Sequence, residues 1–170
     1  NEIFLPTVAA LKAEGRPFKG VIYFGLMLTK DGPRVVEYNA RFGDPETQPI
    51  LSMLDTDLMD IFQACVDGTL DKVDIKWKEG AACCLVLASG GYPVKYQSGY
   101  PISGLEEAEA LGAVVFHAGT KKAERGGFVT AGGRVLGVTA RGASLREAVE
   151  KSYAAAKPIS FQDMHYRTDL

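Results

Sequence analysis

Glu37, Asn39 and Arg41 stand two residues apart in the run Val35–Gln48, which reads VVEYNARFGDPETQ. Successive side chains of a β-strand point to opposite faces. A strand here therefore projects a carboxylate, an amide and a guanidinium side by side, while Val36, Tyr38 and Ala40 point the other way. The two oxygen-bearing groups suit magnesium, a hard cation that keeps several waters and takes one or two protein carboxylates plus substrate phosphates. Arg41, one step further, would meet phosphoryl or acyl-phosphate oxygens as charge develops on them. A half-buried strand with a solvated polar face accounts for a bare E-x-N-x-R equally well. Gly43-Asp44-Pro45-Glu46 then reads as a helix start. Asp44 can cap, Pro45 fits the first helical position, and Glu46 brings negative charge to the positive helix end. Free N–H groups at that start would favour an anion, although a plain helix cap explains the same residues.

The elements that must position these groups are legible in outline. Phe4, Val8 and Leu11 recur at helical spacing and Gly15 and Pro17 stop the pattern, which predicts a helix over 3–14. Gly20–Leu28 is apolar throughout, as in a strand buried on both faces. Lys30-Asp31-Gly32-Pro33 is a turn signal, with Pro33 tolerated at the start of the returning strand, so Gly20–Arg41 reads as a β-hairpin. The helix opened at Asp44 runs to about Leu54. Thr56 or Asp57 caps the next one, whose stripe of Leu58, Ile61, Phe62, Cys65 and Val66 ends at Gly68.

Composition changes at Thr69–Gly80 (TLDKVDIKWKEG), which is charged and has no helical stripe. This places a domain boundary near residue 79, with one part over 1–78 and a second, β-rich part over 79–170. Expected strands in the second part are 81–88, 113–118, 128–130 and 134–140, with Gly132-Gly133 as the hairpin joining the last two. Thr120–Gly127 reads as a mobile loop. Ser144 and Glu147 form a capping box for a helix through about Ala156, broken before Pro158, and 159–161 and 165–167 read as final strands.

A chain of 170 residues, 46% hydrophobic and 24% charged, has the composition of a globular protein able to bury a sizeable core. Its formal net charge of −2 gives no basic stripe for nucleic acid, and no apolar run reaches the length needed to span a bilayer. The 3 cysteines lack C-x-x-C spacing and read as reduced, mostly buried thiols in a cytoplasmic protein. His117 and His165 share no ligand spacing with them, so zinc is not expected. The chain opens at Asn1 with a helix already under way, as in a piece of something longer.

The run VVEYNARFGDPETQ after GVIYFGLMLTKDGP, followed in order by ASGGYP, FHAGT, GGRVLGVTA and YRTDL, resembles the ATP-grasp family of phosphoribosylamine–glycine ligases, also called glycinamide ribonucleotide synthetases. The resemblance covers nearly the whole chain, and RFGDPE within that collinear set is far more specific than E-x-N-x-R. It implies an α+β fold: the C-terminal half of an ATP-grasp domain, an antiparallel sheet with helices, followed by a small β-rich hybrid-like domain with a helix. The implied activity joins glycine to 5-phosphoribosylamine with ATP as co-substrate, through a glycyl phosphate, in purine biosynthesis. Carried over by position, Glu37 and Asn39 match the ligands of magnesium (or manganese), and Arg41 matches the catalytic arginine. Asp44 and Glu46 fall where small substrates are expected. Gly90 and Gly91 could approach a ribose phosphate through backbone N–H groups, although tight turns explain the same glycines.

Two departures bear on this expectation. Val21–Leu28 carries no second metal-binding carboxylate, and no nucleotide-gripping lysine or dinucleotide-like domain precedes it. The implied partners are therefore the remaining N-terminal domains of the same enzyme, without which this piece would hold one wall of a site and be inactive alone. The competing readings are another ATP-grasp ligase or carboxylase, and a non-catalytic binding module; against the latter, no M-K-M attachment site is present.

Overall fold

The structure, a computed structural model, describes residues 2–170. The chain divides into two compact units, Asn1–Gly43 with Asp55–Lys76, and Asp44–Leu54 with Trp77–Leu170. The later cut falls between Lys76 and Trp77. Segment 44–54, which the sequence places with the first part, groups with the second.

In the first unit, α1 (Phe4–Ala13) precedes a hairpin of β1 (Tyr23–Thr29) and β2 (Gly32–Asn39). The Thr29 hydroxyl fastens the turn, donating to the Gly32 carbonyl at 2.8 Å and accepting from the Asp31 N–H at 3.2 Å. Phe4, Phe24 and Tyr38 stack in series, with ring centroids 4.6 and 5.3 Å apart, and join α1 to the hairpin. Among the described residues this sheet has two strands, so the expected burial of β1 on both faces is not seen: Leu26–Thr29 are exposed. α3 (Leu58–Asp67) is capped by Asp57, whose Oδ1 accepts from the Met59 N–H at 2.8 Å, and stops at Gly68 with φ 69°.

The second unit contains two three-stranded antiparallel sheets. Its strands are β3 (Ala81–Ala88), β4 (Pro101–Ile102), β5 (Val114–His117), β6 (Thr120–Lys122), β7 (Phe128–Thr130) and β8 (Arg134–Gly142). β8 lies between β3 and β5 in one sheet, and β7 between β4 and β6 in the other. Gly132-Gly133 is therefore not a hairpin turn; it carries the chain from one sheet to the other. The crossing is tight, since a Cβ on Gly119 would lie 2.6 Å from the Gly132 Cα. Part of the expected 120–127 loop is strand β6, and the expected final strands are single bridges, Ser103 to Ser160 and Ala88 to His165. A short helix, α4 (Leu105–Ala110), forms between β4 and β5, beyond the elements expected from the sequence.

One face of the β3–β8–β5 sheet presents Leu85, Leu87, Leu136 and Val138 to α5 (Leu145–Ala156). That helix buries Ala148, Ser152, Ala155 and Ala156 along one stripe, small enough for close approach, and the Ser152 hydroxyl donates to the Cys83 carbonyl at 3.0 Å. The other face, with Cys84 and Gly137, packs against α2 (Thr47–Met53). This explains why 44–54 belongs to the second unit. Among the described residues no helix is long and apolar enough to cross a membrane.

The capping box at α5 is formed as the sequence predicts: Ser144 Oγ accepts from the Glu147 N–H at 3.3 Å, and Glu147 Oε2 from the Ala143 N–H at 2.7 Å. Because α5 covers the main core, Ser144→Ala should destabilise the second unit by about 1 kcal/mol. Urea denaturation would read this as a lower midpoint at unchanged slope, and Ser144→Asp should recover most of it.

Candidate functional site

Glu37 and Asn39 lie on one face of β2, as the alternation requires, and the Asn39 amide donates to Glu37 Oε1 at 2.9 Å. The two polar heads are thus already adjacent. Turning the Asn39 amide about its last bond would present a second oxygen beside the carboxylate. This donor set fits a hard divalent cation that keeps most of its shell as water and phosphate. No cluster of three or more His, Cys, Asp or Glu side chains suited to a metal occurs among the described residues.

A β-bulge sets the direction of Glu37. Leu26 pairs with Val35, but Gly25 pairs with Glu37, so Val36 is the extra residue. Gly25 therefore stands directly opposite Glu37, and a Cβ there would lie 2.9 Å from the Glu37 Cγ. The carboxylate stem occupies the space that any other residue at 25 would fill. Arg41 lies beyond the last residue of β2, in the following bend, and its Nη1 donates to the adjacent Phe42 carbonyl at 2.8 Å. It is exposed, and its expected place one strand step further along β2 is not what forms.

In the second unit, Asp44 does not cap a helix. The Asp44–Pro45 bond is cis, residues 44–46 form a turn, and α2 begins at Thr47 with Glu46 at the N-cap position and no side-chain cap bond. The Asp44 carboxylate is engaged elsewhere. Arg134 Nη2 lies 3.4 Å from Oδ2, Arg134 Nη1 donates to the Asp44 main-chain carbonyl at 2.8 Å, and Gln48 Nε2 donates to Oδ1 at 3.5 Å. α2 has seven residues and begins at Thr47, three positions after the start expected from the sequence.

Arg134 is also the partner of Ala88 across the β3–β8 ladder. The Ser89–Pro93 turn consequently leaves the sheet at the end where Arg134 meets Asp44. Here Gly90 and Gly91 have packing reasons of their own. A Cβ on Gly90 would lie 2.6 Å from the Asp163 Cβ, and Gly91 has φ 87° with its α-carbon closed against the Lys95 carbonyl. Beside the turn is a polar cleft of about 180 Å³ lined by Gly90, Lys95, Tyr96, Gln97, Tyr100 and Asp163.

Cys84 sits under α2 on the sheet face it shares with Gly137. Burial raises its thiol above the ordinary value; the neighbouring Thr139 hydroxyl offsets part of this, and Cys83, Asp44 and Glu46 add to it electrostatically. The sequence reading missed three residues with structural roles at these positions: Gly25, Gln48 and Arg134. Arg134 lies inside GGRVLGVTA, so its segment was visible but its partner was not.

Residues 82–170, more than half of the chain, match the family model described as phosphoribosylglycinamide synthetase, C domain. The chain belongs to the phosphoribosylglycinamide synthetase family. Residues 1–47 match that family's ATP-grasp (A) domain. The chain is 49% identical over 171 residues to the phosphoribosylamine–glycine ligase of Vibrio vulnificus, and 49% over 170 residues to that of Caldanaerobacter subterraneus. Each match covers 100% of this chain and 40% of the relative, so the chain spans about two-fifths of their length. The crystal structure of the phosphoribosylamine–glycine ligase of Thermotoga maritima superimposes with a TM-score of 0.79 at 33% identity, over 99% of this chain and 41% of that one. The mixed helix and antiparallel sheet architecture expected from the resemblance is that of the family. Glu37, Asn39, Arg41, Asp44 and Glu46 all fall within the A-domain match, and Gly90, Gly91 and Arg134 within the C-domain match.

Two outcomes follow for this family member. Gly25→Ala should displace the Glu37 side chain and loosen its tie to the Asn39 amide; a shift of the Asn39 side-chain amide resonances in NMR spectra of the complete protein measures it. The raised Cys84 value means that the folded state holds this proton more tightly than the unfolded chain. Its stabilisation is full below the ordinary thiol pKa and is lost as pH rises through the folded value. Iodoacetamide labelling read by mass spectrometry should then show Cys84 reacting more slowly in the native than in the denatured chain, with the gap closing as pH rises.

Proposed function

We propose that the complete protein carrying this chain is an ATP-dependent ligase that joins glycine to 5-phosphoribosylamine, giving glycinamide ribonucleotide, ADP and phosphate. Membership of the phosphoribosylglycinamide synthetase family, with Glu37 and Asn39 held together on one strand face, is the observation that carries this reading. ATP phosphorylates the glycine carboxylate, and the amine of phosphoribosylamine displaces phosphate from the resulting acyl phosphate. Phosphoryl transfer of this kind depends chiefly on positioning and on charge stabilisation.

Within this reading Glu37 and Asn39 hold magnesium or manganese. When bound, the ion neutralises charge on the ATP phosphates. Arg41 is exposed and donates to its neighbour's carbonyl, so its planar fork can turn onto phosphoryl oxygens. Asp44 and Glu46 face the small substrates, Asp44 as acceptor for an ammonium or amine. The turn at Gly90 and Gly91, beside the cleft bearing Lys95 and two tyrosines, serves the phosphoribosyl end. The A-domain and C-domain matches, ending at 47 and beginning at 82, support a two-part organisation. The remaining domains of the same polypeptide supply the nucleotide grip, and the free thiols of Cys65, Cys83 and Cys84 suit a cytoplasmic setting.

The test is glycine-dependent ADP release by the complete protein. Glu37→Gln keeps shape and removes the charge that offsets the ion; it should raise the magnesium requirement and lower kcat together. Arg41→Lys keeps charge but loses the fork, and should lower kcat more than it raises KM for ATP. Near-normal kinetics in both variants would overturn the assignment of this strand face.

A further inference from the structure

We propose that Arg134 is a positioning residue, which holds the Asp44 carboxylate in the direction needed to receive the amine-bearing substrate; this rests on the ligase reading and extends it to a residue on another strand. Arg134 makes two contacts with one residue. Nη1 donates to the main-chain carbonyl of Asp44 at 2.8 Å, and Nη2 lies 3.4 Å from Oδ2 of the same residue. The first contact fixes the backbone of the 44–46 turn and the second fixes the side chain. Neither a lysine nor a shorter donor could span both, because only the guanidinium carries separate donors in a rigid plane.

The pair is poorly suited to a role in stability alone. Both side chains are partly exposed, 39% for Arg134 and 45% for Asp44, and an ion pair so placed adds little to folding. Its geometry does more. Arg134 begins the central strand β8, beside the β3–β8 irregularity at Leu87 and Ala88, so its backbone is anchored in the most buried part of the unit. On the other side, Gln48 donates to Oδ1 from α2, one turn along the chain. Each carboxylate oxygen thus has a donor from a different element, and the exposed remainder of the group is aimed rather than free to rotate. Gln48 itself reaches over the β8 face at Gly137, where a Cβ would lie 3.8 Å from its Nε2.

The experiment uses the complete protein with three variants, Arg134→Met, Arg134→Lys and Asp44→Ala, and the double variant Arg134→Met with Asp44→Ala. Arg134→Met should raise KM for glycine or for phosphoribosylamine by on the order of tenfold, with KM for ATP little changed. Arg134→Lys should recover only part of the loss. In the Asp44→Ala background the Arg134→Met effect should largely disappear, since the residue acts through Asp44. Amide hydrogen exchange at residues 46–48 should accelerate in Arg134→Met while the β3 and β8 amides keep their protection. An undiminished Arg134→Met effect in the Asp44→Ala background would show direct action on substrate and overturn the proposal, as would unchanged kinetics and exchange. If the unmodified protein releases no ADP with glycine, the ligase reading fails. In that case unchanged exchange at 46–48 still overturns the Arg134 tie, and accelerated exchange upholds it as a positioning contact.

Discussion

β8 is covered on both faces, and much of the second unit follows from that requirement. Val135, Leu136, Gly137, Val138, Thr139 and Ala140 are all buried, with backbone pairing to β3 on one side and β5 on the other. Removing a leucine or valine side chain from water contributes roughly 1.5–3 kcal/mol. One face therefore needs a close-packed apolar partner. The alanine-rich stripe of α5 supplies it, and the Ser152 hydroxyl binds a strand carbonyl instead of being left unpaired. The opposite face is less apolar and is covered by α2. There Gly137 leaves room that a side chain would deny, since a Cβ would fall 3.0 Å from the Cys84 sulfur. Packing α2 on this face is what brings the turn at Asp44 to the end of the sheet where Arg134 begins.

The same economy of space governs the hairpin. Gly25 lets the Glu37 stem cross the neighbouring strand, and the bulge at Val36 brings the two residues opposite one another. In both units a glycine leaves room for a neighbouring side chain, Glu37 beside Gly25 and Cys84 beside Gly137. Direction, more than binding strength, is what these contacts supply. Exposed pairs such as Asp44–Arg134 contribute little to folding, but a carboxylate with a donor on each oxygen has few orientations left.

The glycines of the Ser89–Pro93 turn illustrate how packing and function can share residues. Gly90 closes against Asp163 and Gly91 adopts a left-handed φ, so the turn needs both whether or not a ligand approaches. The polar cleft beside it is lined by Lys95, Tyr96, Gln97, Tyr100 and Asp163, with the Tyr100 hydroxyl donating to Gln97 Oε1 at 2.6 Å.

By itself the sequence determined what local chemistry can determine. The alternation of Val35–Asn39 put Glu37 and Asn39 on one face, Asp57 and Gly68 bounded α3, and Ser144 with Glu147 opened α5. These depend on residues within a few positions of each other. The tertiary structure decided the rest, because the deciding contacts are between residues far apart in the chain. Counting back from the turn without a bulge would set Gly25 opposite Val36; only the strand pairing shows Glu37 there. Asp44 had every local mark of a helix cap, but a guanidinium 90 residues later engages its carbonyl instead, and the helix starts after it. Gly132-Gly133 looked like a hairpin for the same reason that it serves as a crossing. Glycine permits a close approach, and the sequence does not say which strand will approach.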